Sequence, residues 1–201
     1  KEKNLNTPFN LHLLVRLLFS FLIDADRFDA FRFETGLPIG AEEEKLAPWA
    51  ELSTNLEKYL NGFDSNKPIN RLRSEISQQC KLAAQRPSDI YQLSVPTGGG
   101  KTLSSLRYAL EHARVHNKER IFYIIPYTTI IDQNAKEIRD ILNRDDLLLA
   151  PHSNVVREKQ TGNIESDESE TEYKLLAERW NSPIILTTMV QFLNSLFEGG
   201  T

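Results

Sequence analysis

Near the middle of the chain, the sequence Val-Pro-Thr-Gly-Gly-Gly-Lys-Thr has the composition of a loop that holds phosphate groups. Three consecutive glycines allow positive φ angles, so their backbone N–H groups can converge on an anion without interference from side chains. In loops of this kind the following lysine contacts the β- and γ-phosphates of a nucleoside triphosphate, and the Thr hydroxyl ligates Mg²⁺. The predicted phosphate-binding residues are Thr97, Gly98, Gly99, Gly100, Lys101 and Thr102, with Lys101 and Thr102 as the catalytic pair.

This glycine loop departs at one position from the general pattern G-x-x-x-x-G-K-[ST], because Val95 stands where the first glycine is expected. The variant P-T-G-x-G-K-T is the form typical of helicases. A β-prone run over residues 90–95 precedes the loop and an amphipathic helical pattern follows it, which is the context that the motif requires. A chance glycine-rich turn is the alternative interpretation.

The elements that must position this loop alternate between strand and helix. Apolar runs at residues 90–95, 120–127, 146–153 and 183–188 predict strands. Helical patterns cover residues 71–85, 101–117, 128–142 and 189–197. Such alternation is typical of βαβ units, so we predict an α/β fold with a parallel sheet and flanking helices. The run at 120–127 is nearly all apolar, as expected for a strand buried on both faces.

The first part of the chain and its composition limit the classes of protein. A helical pattern from Asn4 to Phe31 carries a wide apolar stripe, but no apolar run reaches the roughly 18 residues of a membrane span. No small-residue cleavage site follows, so a signal peptide is not predicted. The single cysteine, Cys80, excludes an internal disulfide and is expected to be buried on a helix. The single cysteine also fits a reducing cytoplasm, so we expect a cytoplasmic protein, and we expect no membrane partner. At a net charge of −4, any nucleic acid would bind through local patches and backbone N–H groups.

Polar side chains follow two of the predicted strands. In open α/β sheets, ligands bind at the carboxyl ends of the strands. Hydroxyl groups and helix N-termini at these points suit contact with a nucleic-acid sugar-phosphate backbone. Helix capping is the alternative role for the threonines. The predicted nucleic-acid contacts are Pro126, Thr128, Thr129, Thr187, Thr188 and Gln191.

Four segments together resemble a known family: "VPTGGGKT", "IIPYTTIIDQNA", "PHSN" and "ERWNSPIILTTMVQFLNSLF". In order and spacing they are similar to the first RecA-like lobe of superfamily 2 helicases, in particular the CRISPR-associated helicase-nuclease of type I systems. In that family an HD-type metal nuclease domain precedes the helicase. The segment "RLLFSFLIDADRFDAF" resembles the last metal-site helix of the HD domain.

The resemblance implies a role for each matching position. The glycine loop would bind ATP and Mg²⁺, and the threonine positions would contact single-stranded DNA. Asp26, with Asp24 as the weaker match, would ligate a divalent transition metal of the HD site, a role for which carboxylate oxygens are suited. A solvated helix end is the alternative for both carboxylates. Gln78 lies where such helicases contact adenine.

The resemblance also implies a domain order. Residues 1–35 would be the end of an HD-type domain, residues 36–69 a helical linker, and residues 70–201 an incomplete first helicase lobe. The paired His-Asp signature of the HD site is absent, since His12, His112, His116 and His152 do not form one. The D-E-x-H type of box is also absent, so we expect this chain alone to be inactive.

Three functions remain open at this point. The first is an ATP-dependent DNA translocase with a linked nuclease that degrades foreign DNA marked by an RNA-guided surveillance complex. The second is a superfamily 2 helicase or translocase of repair or restriction. The third is a nucleotide-binding module without turnover.

Overall fold

The computed structural model describes residues 7–36, 47–150, 180 and 182–197. The chain divides into two compact units. The first comprises residues 1–44, 162–181 and 189–201, and the second comprises residues 45–161 and 182–188. The "PHSN" segment, including His152, lies outside the described residues.

The second unit contains a three-stranded parallel sheet. Its strands are β1 (Ile121–Ile125), β2 (Leu148–Leu149) and β3 (Ile184–Thr188), in the order β1-β3-β2. The register of β1 on β3 runs from Ile121↔Ile184 to Ile125↔Thr188. The predicted parallel arrangement of these three runs is therefore confirmed, although β2 is much shorter than its apolar run suggested.

The strand that is buried throughout is β3 and not β1. All of β3 except its last residue is buried, because β3 lies between the other two strands. In contrast, Phe122 of β1 is 40% exposed. The expectation that β1 would be buried on both faces was therefore wrong, since β1 lies at an edge of the described sheet.

Residues 90–95 do not form the strand that their composition predicts. They have no regular secondary structure, and Ile90 is 97% exposed. Within the described part of the chain no strand pairs with this segment. A β-strand is stabilised by a hydrogen-bonded neighbour, so β-propensity alone does not form one here.

The described part of the second unit also contains four α-helices, and the bounds of the last three are close to those predicted. Helix α2 spans Trp49–Asn61, α3 spans Pro68–Ala83, α4 spans Lys101–Val115 and α5 spans Thr128–Leu142. Helices α4 and α5 contact β1, and α3 packs on α4. Their buried side chains recur at helical spacing and form one core. In α4 and α5 these residues include Leu106, Leu110, Ala113, Ile131, Ala135, Ile138 and Leu142.

Helix α2 is packed against the other helices of the second unit. Leu52 and Leu56 are 0% and 1% exposed, and α2 packs on both α4 and α5. The indole Nε1 of Trp49 also donates a 2.7 Å hydrogen bond to the carbonyl of Lys118. The apolar face of α2 is buried in this way, and α2 belongs to the second unit. The domain bounds 1–35, 36–69 and 70–201 stay predictions.

The described helices of the first unit are α1 (Thr7–Thr35) and α6 (Met189–Phe197). Exposed apolar side chains lie all around α1, not in a single stripe. The segment Pro8–Ala30 is long and apolar enough to cross a membrane by length and composition, a criterion that signal sequences and core helices of soluble proteins also meet. The expectation that no segment would meet it was wrong, because the apolar residues outweigh His12 and Arg16 in the average.

Candidate nucleotide and nucleic-acid site

The backbone of the glycine loop requires glycine at all three positions. Gly98 and Gly100 have φ angles of +81° and +82°, in the left-handed region that side chains disfavour. A Cβ atom at Gly99 would collide with the Cγ1 atom of Val95 and lie 3.0 Å from the Pro96 carbonyl oxygen. The Gly99 N–H donates to that same oxygen at 3.0 Å, which closes a tight turn.

Helix α4 begins directly after the loop, with Gly100 as its N-cap. This N-cap gives no side-chain hydrogen bond to the helix, so the N–H groups of the first turn can be satisfied by a ligand. Lys101 is exposed and Thr102 is half-buried. An ammonium, a hydroxyl and the positive end of a helix dipole together form a donor set that fits a triphosphate with Mg²⁺.

A cavity of about 190 Å³ adjoins Lys101 and Thr102. One of its lining residues, Tyr123 of β1, has a buried hydroxyl group that interacts with Ser105 of α4. Burial raises the pKa of the Tyr123 phenol far above its ordinary range, so this group remains a neutral donor. The other lining residues are Leu93, Ser105, Ile125, Asn134 and Ile138.

Sequence reasoning missed Ser105, Tyr123 and Asn134 as neighbours of the loop. Only Tyr123 gave a local signal, since it is a polar group inside the apolar run of β1. The other two are ordinary polar residues of helices, and their proximity to Lys101 depends on packing between α4, α5 and the sheet.

A charged cluster holds α4 against its neighbours. The Nε and Nη2 atoms of Arg107 donate to Glu57 of α2 at 2.9 and 2.7 Å, and Lys81 of α3 donates to the same carboxylate at 2.7 Å. Burial raises the pKa of Glu57, but the hydrogen bonds from Lys81 and Arg107 outweigh it and the net pKa is lowered. These contacts fix the direction in which the N-terminus of α4 points.

The predicted nucleic-acid residues at the end of β1 are exposed. Pro126 follows β1, and Thr128 and Thr129 form the exposed first turn of α5. The N-cap of α5 is Tyr127, which makes no side-chain cap hydrogen bond. Neither threonine therefore occupies the N-cap position, and their contact with nucleic acid stays a prediction.

The other predicted nucleic-acid residues, at the end of β3 and after it, lie in different surroundings. Thr188 is half-buried at the end of β3, and its Cα pairs with that of Ile125, so the carboxyl ends of β1 and β3 meet at one edge. Thr187 is 0% exposed in the sheet, which does not favour contact with a ligand. Gln191 lies on α6, in the other unit.

The remaining predicted site residues lie on three different elements. Thr97 is exposed in the glycine loop, and Gln78 is exposed on α3. Asp26 is exposed on α1, and within the described residues no group of three or more His, Cys, Asp or Glu side chains could hold a metal ion. The roles of Gln78 in adenine contact and of Asp26 in metal binding stay predictions.

Comparison with known proteins supports the helicase interpretation of this site. The model of the DEAD/DEAH box helicase family matches residues 74–199, which is more than half of the 201-residue chain. The chain is also 28% identical over 174 residues to the CRISPR-associated nuclease/helicase Cas3 of Haloferax volcanii, a match that covers 70% of this chain and 18% of that protein.

The matched region includes the glycine loop, the cavity beside it and the exposed threonines at the end of β1. Domains of this family bind ATP with Mg²⁺ and act on nucleic acid, which agrees with the chemistry of the loop. The chain belongs to the DEAD/DEAH box helicase family.

Proposed function

We propose that the full-length protein is an ATP-driven translocase of single-stranded DNA with a linked HD-type nuclease that degrades foreign DNA in type I CRISPR interference. The observation that carries the translocase part is the glycine loop at the start of α4, in the same unit as the exposed threonines at the end of β1. The nuclease and defence part is supported by the "LIDADRFDA" segment and by the name of the relative from Haloferax volcanii.

In this proposal each part of the loop has a separate task. The backbone N–H groups of the loop and of the first turn of α4 bind the phosphate oxygens. Lys101 places its charge at the β- and γ-phosphates, and the Thr102 hydroxyl ligates Mg²⁺. ATP supplies the free energy of hydrolysis for movement along the strand.

The threonines have the task of holding the DNA. Thr128, Thr129 and Thr188 donate to phosphate and sugar oxygens, which carry no base sequence information. The translocase therefore binds single-stranded DNA without regard to sequence. Gln191 contributes from α6, and the RNA-guided surveillance complex supplies the sequence specificity.

The proposed nuclease requires a site that Asp26 completes. In that site Asp26 would be one carboxylate ligand of a divalent transition metal, and the metal would supply a water activated for attack on a phosphodiester. The partners are single-stranded DNA and the surveillance complex in the cytoplasm.

The test uses the full-length protein and its ATPase activity with and without single-stranded DNA. Lys101→Ala is expected to reduce DNA-stimulated hydrolysis by about 100-fold or more, because it removes a charged donor from the transferred phosphate. The matched control is Lys136→Ala, which removes an exposed lysine from α5 and is expected to leave hydrolysis unchanged. Hydrolysis by Lys101→Ala at the wild-type rate would contradict the proposal.

A second assay distinguishes the three candidate functions. Lys101→Ala is expected to retain metal-dependent cleavage of single-stranded DNA, because the two sites act separately. DNA-stimulated ATPase without any cleavage by the wild-type protein would favour a repair or restriction helicase. Nucleotide binding without stimulated hydrolysis would favour a binding module.

A further inference from the structure

One side chain outside the glycine loop contacts both of its left-handed glycines. Arg73 of α3 donates from Nε and Nη2 to the carbonyl oxygen of Gly98, at 3.0 and 2.7 Å. Its aliphatic stem lies against Gly100, since a Cβ atom at that glycine would lie 3.3 Å from the Cγ atom of Arg73. Arg73 therefore contacts the loop with both its charged and its apolar parts.

These contacts fix the peptide between Gly98 and Gly99 at both ends. Its carbonyl oxygen accepts the two hydrogen bonds from Arg73, and its N–H donates to Pro96 at 3.0 Å. A peptide unit flanked by glycine has few steric barriers to rotation. Arg73 supplies a restraint that the glycines themselves cannot supply.

The guanidinium also brings a positive charge to the loop. No carboxylate of the described residues forms an ion pair with Arg73, and arginine remains protonated at all physiological pH values. An unneutralised cation at this place favours phosphate binding without itself being part of the Gly-Lys-Thr motif.

Helix α3 places Arg73 through a row of polar contacts. Arg73, Ser77 and Lys81 are four residues apart and share one helix face. Ser77 accepts a hydrogen bond from Arg107 of α4 at 3.3 Å, and Lys81 donates to Glu57 of α2 at 2.7 Å. The face of α3 that contacts the glycine loop is therefore also hydrogen-bonded to α4, the helix that begins at Lys101.

We propose that Arg73 is a positioning residue for the nucleotide: it holds the Gly98–Gly99 peptide in one orientation, so that the loop is preorganised for the triphosphate. This inference rests on the proposed binding of ATP at the loop. Preorganisation lowers the ordering cost of binding, so its loss raises the KM for ATP and leaves kcat nearly unchanged.

The experiment compares Arg73→Ala, Arg73→Lys and the control Arg71→Ala in the full-length protein, with MgATP as the probe. Arg71 is an exposed arginine two residues earlier on α3. We expect Arg73→Ala to raise the KM and the Kd for MgATP about tenfold, the effect of losing a charge-assisted hydrogen bond, with kcat within twofold of wild type. Arg73→Lys should recover part of the affinity, because lysine keeps the positive charge but lacks the planar guanidinium that donates two hydrogen bonds to one carbonyl oxygen.

A second readout uses Gly100→Ala in the wild-type and Arg73→Ala backgrounds. The new methyl group strains the left-handed backbone in both backgrounds. Only in the background with Arg73 does it also crowd the aliphatic part of that side chain. The loss of MgATP affinity caused by Gly100→Ala is therefore expected to be smaller in the Arg73→Ala background. Equal losses in both backgrounds would contradict the proposed packing.

The outcomes separate this inference from the proposed function. If the wild-type protein binds no MgATP, both fail. If wild type binds MgATP and Arg73→Ala has the same KM as Arg71→Ala, the inference fails and the proposed function stands. If Arg73→Ala does not fold, Arg73→Lys decides: a severalfold rise in KM at unchanged kcat supports the inference, and an unchanged KM overturns it.

Discussion

At the scale of single residues, the three glycines of the loop are required for two different physical reasons. Gly98 has a left-handed backbone with open space where a Cβ would lie, while Gly99 has no room for a side chain. A side chain at Gly98 would therefore strain the backbone, whereas a side chain at Gly99 would collide with Val95 and Pro96 inside the turn.

We expect Gly99→Ala to be the more damaging of two matched substitutions. Gly98→Ala should lower the free energy of unfolding by about 1 kcal/mol, the cost of a left-handed alanine. Gly99→Ala should lower it by about 1–3 kcal/mol, because Val95 and Pro96 must shift to accept the methyl group. Urea denaturation measures both variants, and the opposite ranking would contradict the crowding at Gly99.

The carboxylate of Glu57 gives a prediction for pH dependence. Its pKa in the folded state lies below the ordinary value of 4.5, so its ion pairs stabilise the fold at and above that pH. This stabilisation is lost as the pH falls through the folded-state pKa. Glu57→Gln should therefore lower the free energy of unfolding by about 1–2 kcal/mol at pH 7, allowing for partial exposure, and by progressively less below pH 4.5.

The measurement is denaturant unfolding over a pH series, with Glu75→Gln as the control. Glu75 is an exposed residue of α3, so its substitution should change stability little at any pH. A difference between wild type and Glu57→Gln that stays constant down to acid pH would show that charge is not the cause.

Single residues also show where sequence reasoning succeeded and where it could not succeed. Lys101, Thr102 and the glycines were identified because their chemistry is local in the sequence. Arg73 contacts Gly98 across 25 residues, and Glu57 contacts Arg107 across 50, so neither pair leaves a spacing signal.

At the scale of elements, α2 shows a contact that the sequence analysis did not anticipate. The family resemblance implied a helical linker over residues 36–69, and Pro48 and the turn at 64–68 lie on either side of one helix in it. That helix buries Leu52 completely against α4 and α5.

We expect Leu52→Ala to destabilise the second unit by about 2–5 kcal/mol, because it leaves a cavity under α2. The matched control is Leu82→Ala on α3, where the side chain is 58% exposed and the change should stay within about 0.5 kcal/mol. Thermal and urea unfolding measure both. Similar small effects of the two substitutions would contradict the packing of α2 on α4 and α5.

The helices were predicted more accurately than the strands, for a physical reason. Helix α5 matches its predicted bounds because its hydrogen bonds and its apolar face are set within 15 residues. The sheet order β1-β3-β2 and the absence of a strand at 90–95 depend on partners distant in the chain. The β-propensity of the residues identified the apolar runs, but it could not show which strands pair with one another.

At the scale of the whole molecule, motif order identified the family although much of the packing was not predicted. The glycine loop, the apolar run of β1 and the threonine pairs occur in the order typical of helicases. The family match over residues 74–199 confirms the prediction of a helicase domain. The sequence analysis did not predict that residues 182–188 and 189–201 belong to different units, because residues 182–188 join a sheet formed mainly by residues before 151.

A ligand that binds only the folded state stabilises the whole molecule. MgATP at about 100 times its Kd should add about 2.7 kcal/mol to the stability of the folded protein and raise its thermal midpoint. Lys101→Ala should remove this increase, whereas Lys136→Ala should retain it. An equal thermal shift in Lys101→Ala would mean that the nucleotide binds elsewhere.

The two ends of helix α5 differ in their side-chain hydrogen bonds. At its C-terminal end Asn143 takes a left-handed conformation, and the side chain of Asn55 donates to the carbonyl of Leu142 at 2.8 Å. Its N-terminal end, at Tyr127 and Thr128, has no side-chain cap. Amide hydrogen exchange should therefore proceed fastest in the first turn and slow steadily toward Leu142. Helix α4 likewise has no side-chain cap where it leaves the glycine loop. Ligands are proposed to bind at both of these helix N-termini, so a bound ligand would slow hydrogen exchange there.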